Sequence, residues 1–354
     1  MSGSSTPSPD PASAAPGGRR KTVNLALQGG GAHGAIAWGV LDRLLEADVL
    51  DFDGIVGTSA GAMNVAVLAH GLTRGGAAGA RAALDRFWHG VAEAARYSPL
   101  QPNPVERFLN PGGLDFSPGY WMVEAATRMF SPYQLNPLGL DPLRDLLASI
   151  VDFQAIHAAC PAKLFISATN VLTGRIRVFR EHEVGVDAVM ASACLPLLFK
   201  AVEVDGEPYW DGGYMGNPPI YPVIYDCDSR DVLIVQINPI NIDSVPTTTR
   251  GILDRINTLG FNASLMREMR AIEFVTRLID GGFDDGGRLK RMLIHTIDAE
   301  DVTARLGVSS KLNADLDWLL TLRQVGRDRA DAFLTAHFDK IGVESSTDIA
   351  AKFL

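Results

Sequence analysis

Two short apolar runs, each ended by a glycine turn and separated by one helical repeat, constrain the fold of this chain more than any other feature. Val23 to Gln28 reads VNLALQ and stops at Gly29-Gly30-Gly31. Ala35 to Ala47 then carries Ile36, Val40, Leu41, Leu44 and Leu45 along one helix face. Phe52 to Val56 is the second run; it stops at Gly57-Thr58-Ser59-Ala60-Gly61, and Ala60 to Gly71 continues as a helix rich in Ala, Val and Leu. Uninterrupted apolar runs of this length suit strands buried on both faces of a parallel sheet. Two such strands joined by a helix pair in parallel through a right-handed crossover. Their carboxyl ends then share one edge of the sheet, where open α/β sheets place their ligands. The glycine loop and Ser59 are brought together by topology.

Further along, Ser98 to Asp145 changes character. Eight prolines (99, 102, 104, 111, 118, 132, 137 and 142) mix with Phe108, Phe116, Tyr120, Trp121, Phe130 and Tyr133. One amphipathic stretch, Tyr120 to Phe130, interrupts a segment otherwise expected to be irregular but ordered, either a cap over the site mouth or an inert packed insertion. A helix is expected over 143–150 and strands over 163–169 and 176–179. A second short helix follows at 186–194, then a hairpin around Asp205-Gly206 and a strand over 231–237. A long helix over 247–279, a late strand over 292–297 and a mainly helical stretch from 312 to 338 complete the pattern. The organisation expected is a tail over 1–20, a catalytic domain over 21–245 and a mainly helical extension over 246–354.

Composition narrows the function. The net charge of −9 is offset by no Lys/Arg-rich block, which argues against nucleic acid as a partner. Cys160, Cys194 and Cys227 are odd in number and lack C-x-x-C spacing, so neither a disulfide framework nor a zinc site is indicated. A reducing, cytoplasmic setting fits. Apolar stretches are interrupted well before the length of a membrane span. Ser2 to Gly18 is almost wholly Ser, Pro, Ala, Gly and Thr and reads as disordered. The basic cluster at 19–21 precedes an apolar run too short for an export signal.

Gly57-Thr58-Ser59-Ala60-Gly61 is a G-x-S-x-G pentapeptide. Its glycines let a strand turn sharply into a helix and lift the serine above the sheet, while the helix start offers free N–H groups to a developing oxyanion. A chain with 35 glycines produces such pentapeptides by chance, so it is the strand before and the helix after that give it meaning. Gly29 to Gly34 also fits the dinucleotide fingerprint G-x-G-x-x-G, but that fold needs an acid at the tip of the second strand. Ser59 occupies that region, and Asp51 and Asp53 lie at the strand's other end. A phosphate-binding P-loop is excluded because no G-K-[ST] follows. The bare amides of Gly29, Gly30 and Gly31 suit an oxyanion hole instead. For the base, Asp211-Gly212-Gly213 follows a strand, where flexible glycines would leave the carboxylate exposed; an ordinary Asp-Gly turn explains the local pattern equally well. A Ser-His-acid triad would draw on His295, inside an apolar strand, or His337, near a helix end.

Taken together, Gly29-Gly30-Gly31-Ala32-His33-Gly34, Gly57-Thr58-Ser59-Ala60-Gly61 and Asp211-Gly212-Gly213, in this order, resemble the patatin-like phospholipase family. Ala191-Ser192-Ala193-Cys194-Leu195-Pro196-Leu197-Leu198-Phe199 is similar to that family's segment between elbow and base. The resemblance covers about residues 22 to 240 and implies a three-layer α/β/α sandwich with a mainly parallel sheet. It also implies hydrolysis of lipid acyl esters by a Ser–Asp dyad without a metal or other cofactor. By position, Ser59 is then the nucleophile, Asp211 the base and Gly29 to Gly31 the oxyanion hole. The region after Thr247 resembles the helical extension of some bacterial members. The family usually carries Arg or Lys where this chain has His33, so a fixed cation beside the loop is replaced by a group expected to titrate near neutrality. The expected partner is a lipid or other acyl ester, with peripheral contact at a membrane or lipid surface through the aromatic insertion. An acyltransferase or thioesterase with the same dyad, and a non-catalytic lipid-binding module, are the alternatives.

Overall fold

The computed structural model describes residues 20–354 apart from 285, so the tail expected over 1–20 lies, except for Arg20, outside the described residues. The two glycine-terminated runs form adjacent parallel strands, β1 (Lys21–Leu27) and β2 (Leu50–Gly57), with α1 (Gly34–Ala47) crossing between them. The helix after β2, α2 (Ala60–Ala94), is far longer than the expected Ala60–Gly71. It is two helical segments joined where Gly75 and Gly76 leave helical geometry. Beyond that kink Ala80, Ala83, Leu84, Phe87 and Trp88 keep a buried face at helical spacing. In the sequence the Gly75-Gly76 pair reads as a stop and hides this continuation.

The proline-rich insertion corrects a second expectation. Outside the amphipathic stretch it is not irregular: it forms α3 (Pro104–Leu109) before α4 (Pro118–Met129), which covers that stretch, then α5 (Pro132–Leu135), and it runs into α6 (Pro142–Ile150), the helix expected over 143–150. Each begins with a proline, whose missing N–H costs nothing in the first turn and whose fixed φ suits it. Asn103, Ser117 and Asp141 cap three of them by accepting from the amides of Glu106, Tyr120 and Arg144. Prolines that look like helix breakers are helix starts.

The remaining elements are α7 (Phe153–Ala159), β3 (Lys163–Asn170), β4 (Ile176–Arg180), α8 (Val186–Ser192), β5 (Val202–Val204), β6 (Glu207–Asp211), α9 (Tyr221–Asp226) and β7 (Asp231–Gln236). They are followed by α10 (Thr249–Asp280), β8 (Leu293–Asp298), α11 (Glu300–Thr303), α12 (Leu316–His337) and α13 (Ile349–Phe353). One eight-stranded sheet has the order β5-β6-β3-β2-β1-β7-β8, with β4 also paired to β3. The five strands from β3 to β8 in that order are parallel, whereas β4 and β6 run antiparallel to β3.

Side chains alternate across the strands. Leu25 and Leu27 of β1 face a core built with α1, α2 and α12, while Ala26 joins Val56, Val232 and Ile234 against α9, α10 and α13. The sheet is covered on both faces, giving the mostly parallel α/β sandwich that the resemblance implies. The C-terminal region takes part in it. β8 extends the sheet, and α12 crosses α1 so closely that a Cβ at Gly326 would lie 2.0 Å from the Ile36 carbonyl oxygen. Beside this crossing, buried Asp42 of α1 accepts from Arg81 at 2.7 Å, from Arg323 at 2.9 Å and from Arg327.

Because the α1–α12 crossing has no room for a side chain at Gly326, Gly326→Val should lower stability by about 1–3 kcal/mol through overpacking. Thermal unfolding followed by circular dichroism reads this as a lower midpoint; an unchanged midpoint would mean that α12 does not pack there.

Candidate active site

Sheet register sets the level at which the functional side chains meet. Gly57, the last residue of β2, lies opposite Ile166 of β3, and Asp211, the last residue of β6, lies opposite Ala168. Ser59 is two residues beyond Gly57, as Ala168 is two beyond Ile166. Ser59 and Asp211 therefore emerge at the same height of the sheet edge, from strands on either side of β3.

Ser59 has φ 56° and ψ −124°, a conformation that costs a residue with a Cβ on the order of 1–3 kcal/mol. Surrounding bonds impose it. The Ser59 N–H donates to Ser192 Oγ at 2.9 Å. Thr58 Oγ1 donates to the Gly216 carbonyl at 2.7 Å and lies 2.6 Å from Ser167 Oγ. The turn also needs glycine at 61, where a Cβ would stand 2.3 Å from the Leu27 carbonyl oxygen. Strain at one residue is maintained by a rigid frame around it.

Asp211 departs from the expectation of an exposed carboxylate: it is 0% exposed. Its backbone is fixed by the Cys194 carbonyl, which accepts from the Asp211 N–H at 2.8 Å, and by Thr169 Oγ1, which donates to the Asp211 carbonyl at 2.8 Å. The Gly213 N–H donates to Oδ1 at 2.7 Å. Oδ2 is buried and has no partner at full hydrogen-bond geometry among the described residues. Burial raises this carboxyl from 3.8 to about 7; the Ser59 hydroxyl and then the Gly213 amide favour its charged form and only partly offset the burial. A carboxyl of this kind changes charge near neutral pH.

The glycine loop packs directly on the elbow. A Cβ at Gly29 would fall 2.6 Å from Ser59 Cβ. The Gly29 N–H is committed to Asn217 Oδ1 at 2.7 Å, whereas the N–H groups of Gly30, Gly31 and Ala60 have no partner among the described residues. Gly31 has φ +61°, a conformation open to glycine at little cost. Unpaired amides beside the positive dipole end of a helix are of the kind that can receive a negative charge.

His33 corrects the expected titration near neutrality. Its ring is buried and its Nε2 is 2.7 Å from Ser310 Oγ; burial first and the Lys311 charge second push it down to about 3, so the ring is neutral. The cation beside the loop is Lys311 itself, pushed down to about 8 by burial, with Asp254 opposing. The other histidines lie elsewhere. His295 is buried in β8, three strands away from β2, with Nε2 2.9 Å from Asp231 Oδ1 and Nδ1 3.0 Å from Ser346 Oγ. His337 ends α12 with its ring beside Phe333.

Ser192, Asn217, Asn238 and Lys311 carry parts of this site that sequence reasoning did not assign. For the two asparagines a signal exists: each is followed by proline and comes shortly after a strand whose carboxyl end lies on the site edge. Lys311 gives none, being brought in from 252 residues beyond Ser59 by tertiary packing alone. Among the described residues no group of His, Cys, Asp or Glu could hold a metal ion, and no helix is long and apolar enough to cross a membrane.

A strained elbow serine and a buried carboxyl thus lie on one sheet edge, and among the described residues no histidine is bonded to either. The chain belongs to the patatin-like phospholipase family, whose model matches residues 25–224. That match runs from β1 into α9 and includes the glycine loop, Ser59 and Asp211. Among solved structures the chain is similar to VipD from Legionella pneumophila, at 16% identity and a TM-score of 0.44 over 95% of this chain and 73% of that one. It is also similar to ExoU in the heterodimeric ExoU–SpcU complex of the Pseudomonas aeruginosa type III secretion system, at 16% identity and a TM-score of 0.38, over 92% of this chain and 53% of that one. The chain thus spans about half the length of ExoU. No curated protein matches the sequence.

The raised Asp211 carboxyl has a consequence for stability. Between about pH 4 and 7 the folded state binds more protons than the unfolded chain, so stability falls as pH rises through that window. Asp211→Asn keeps an acceptor for the Gly213 amide and removes the buried charge. Its unfolding midpoint should exceed that of the wild type at pH 8 and converge with it at pH 4; equal midpoints at pH 8 would mean that the carboxyl is not strained by burial.

Proposed function

We propose that the protein is a lipid acyl hydrolase in which Ser59 is the nucleophile and Asp211 the general base. The observation that carries this reading is the Asp211 carboxyl. It is buried, oriented by the Gly213 amide and raised to about 7, and Ser59 is the side chain that favours its charged form. Asp211 takes the Ser59 proton as Oγ attacks the ester carbonyl, and the Gly30 and Gly31 amides, together with that of Ala60, receive the oxyanion. Gly29, the first glycine of the loop, supports the site through its contact with Ser59, since its own amide is bonded to Asn217. As the tetrahedral intermediate collapses, protonated Asp211 returns the proton to the departing alkoxide, which leaves as an alcohol. Water, deprotonated by Asp211, then attacks the acyl-Ser59 ester; the proton passes back to Ser59 and the free acid leaves. A base near pH 7 suits this exchange better than an ordinary carboxylate, whose conjugate acid at about 3.9 is too strong.

A lipid as the source of the ester is supported by the insertion. Phe108 (84%), Leu138 (82%) and Trp121 (53%) stand exposed on it, with Met122, Met129 and Leu140. So many exposed apolar side chains in one segment suit contact with a lipid surface. The segment is braced at two points. Arg250 of α10 lies over the rings of Tyr120 and Trp121 at 4.7 and 5.7 Å, and the Tyr133 hydroxyl accepts from the Ala201 N–H at 3.2 Å.

With a p-nitrophenyl ester as substrate, Ser59→Ala and Asp211→Asn should each lower kcat by at least 10³-fold, on the scale of losing a catalytic group, while His295→Ala retains turnover. Activity surviving in either of the first two variants would remove the dyad; loss on His295→Ala alone would favour a triad. The double change Phe108→Ser with Leu138→Ser should reduce hydrolysis of phosphatidylcholine vesicles by about tenfold, on the scale of the apolar area removed, and leave the soluble ester unaffected. Equal loss on both substrates would assign the insertion to folding rather than to lipid contact.

A further inference from the structure

The Gly29–Gly30 peptide carries one donor of the proposed oxyanion site. Neither residue has a side chain to wedge it, and the rotation of this one peptide decides where the Gly30 N–H points. A trans peptide is planar, with its C=O and N–H directed to opposite sides. Whatever grips the Gly29 carbonyl therefore aims the Gly30 N–H.

That grip comes from Asn238, the second residue after β7. It is buried, and its Nδ2 donates to the Gly29 carbonyl at 2.7 Å. Its backbone is clamped in turn, with the N–H donating to Gln28 Oε1 at 2.7 Å and the carbonyl accepting from Gln236 Nε2 at 3.2 Å. An asparagine amide can flip end for end, and a flip would set Oδ1 against the Gly29 carbonyl. Lys311 prevents it: its Nζ donates to Asn238 Oδ1 at 2.8 Å. An ammonium only donates and a carbonyl only accepts, so with these two partners just one orientation of the amide is satisfied.

Lys311 is placed by the turn over 308–312, which packs on the glycine loop. Its own carbonyl oxygen would be 2.4 Å from a Cβ at Gly31, and Ser310 Oγ meets His33 Nε2 at 2.7 Å. Lys311 is half-buried, and burial pushes its ammonium down to about 8, with Asp254 as the nearby opposite charge. Burying an ammonium is costly, and here its hydrogen bond goes to the one amide that holds the loop peptide.

We propose that Asn238 and Lys311 are a positioning pair that turns the Gly30 N–H toward the oxyanion formed at Ser59, so that the C-terminal region of the chain sets the rate of acyl transfer. The inference rests on the Ser59–Asp211 reading above. It concerns orientation of a donor, and so predicts a loss in kcat with substrate binding retained.

The test uses Asn238→Asp, Lys311→Met and Lys311→Arg in the full chain, each compared with wild type and with Ser59→Ala on a p-nitrophenyl ester. Asn238→Asp keeps the size and the acceptor for Lys311 but has no donor for the Gly29 carbonyl. It should lower kcat by about 10- to 100-fold, approaching the loss of one oxyanion donor, with KM within twofold of wild type. Lys311→Met should fall in the same way, and Lys311→Arg should recover most of the loss. Phosphonylation of Ser59 by a fluorophosphonate should slow in parallel. If Asn238→Asp does not fold, as judged by its thermal transition, the Met and Arg variants at 311 decide the matter. Unchanged kcat in folded Lys311→Met, a rise in KM alone, or no recovery with Arg would overturn the positioning pair. Turnover by Ser59→Ala at wild-type level would instead overturn the dyad.

Discussion

Burial of one carboxyl at the tip of β6 is the constraint around which this sheet edge is arranged. A carboxylate with no solvent needs either a charge partner or hydrogen bonds that lower its cost. Asp211 is given one firm bond, from the Gly213 amide, and is otherwise left raised to about 7. Its neighbours are positioned with matching care. Cys194 and Thr169 lock its backbone, Ser192 next to that segment anchors the Ser59 amide, and Thr58 ties the elbow to Ser167 and Gly216. The stability forgone at Asp211 and in the Ser59 backbone is supplied by the sandwich beneath them.

The C-terminal third belongs to that sandwich. It adds β8 to the sheet, covers α1 with α12 and brings Lys311 to the back of the glycine loop. Residues 25–224 contain the motifs of the family, and the glycine loop is held from both inside and outside that span. Asn217 binds the Gly29 amide, Asn238 the Gly29 carbonyl, and Gln28 reaches to Asn262 of α10.

Much of this was legible because it depends on local pattern. Apolar runs ending in glycines give β1 and β2, the crossover rule gives their direction, and together they put Gly29 beside Ser59. The parts that were not legible depend on distance or context. The helices that start at Pro104 and Pro132 leave no sign in the sequence, because proline marks a break whether it starts a helix or ends one. The continuation of α2 was hidden by two glycines. The burial of Asp211 and of His33 follows from segments folded over them, and a buried ring at about 3 and an exposed one near neutrality are the same letter in a sequence.

The most direct measurement is the pH dependence of covalent modification at Ser59. With a fluorophosphonate probe and mass-spectrometric mapping, a single adduct should form on Ser59, its rate rising with pH through a midpoint near 7 as Asp211 ionises, and it should fail to form in Asp211→Asn. A rate with no midpoint between pH 5 and 9, or an adduct that forms equally fast in Asp211→Asn, would contradict a nucleophile activated by a buried carboxylate.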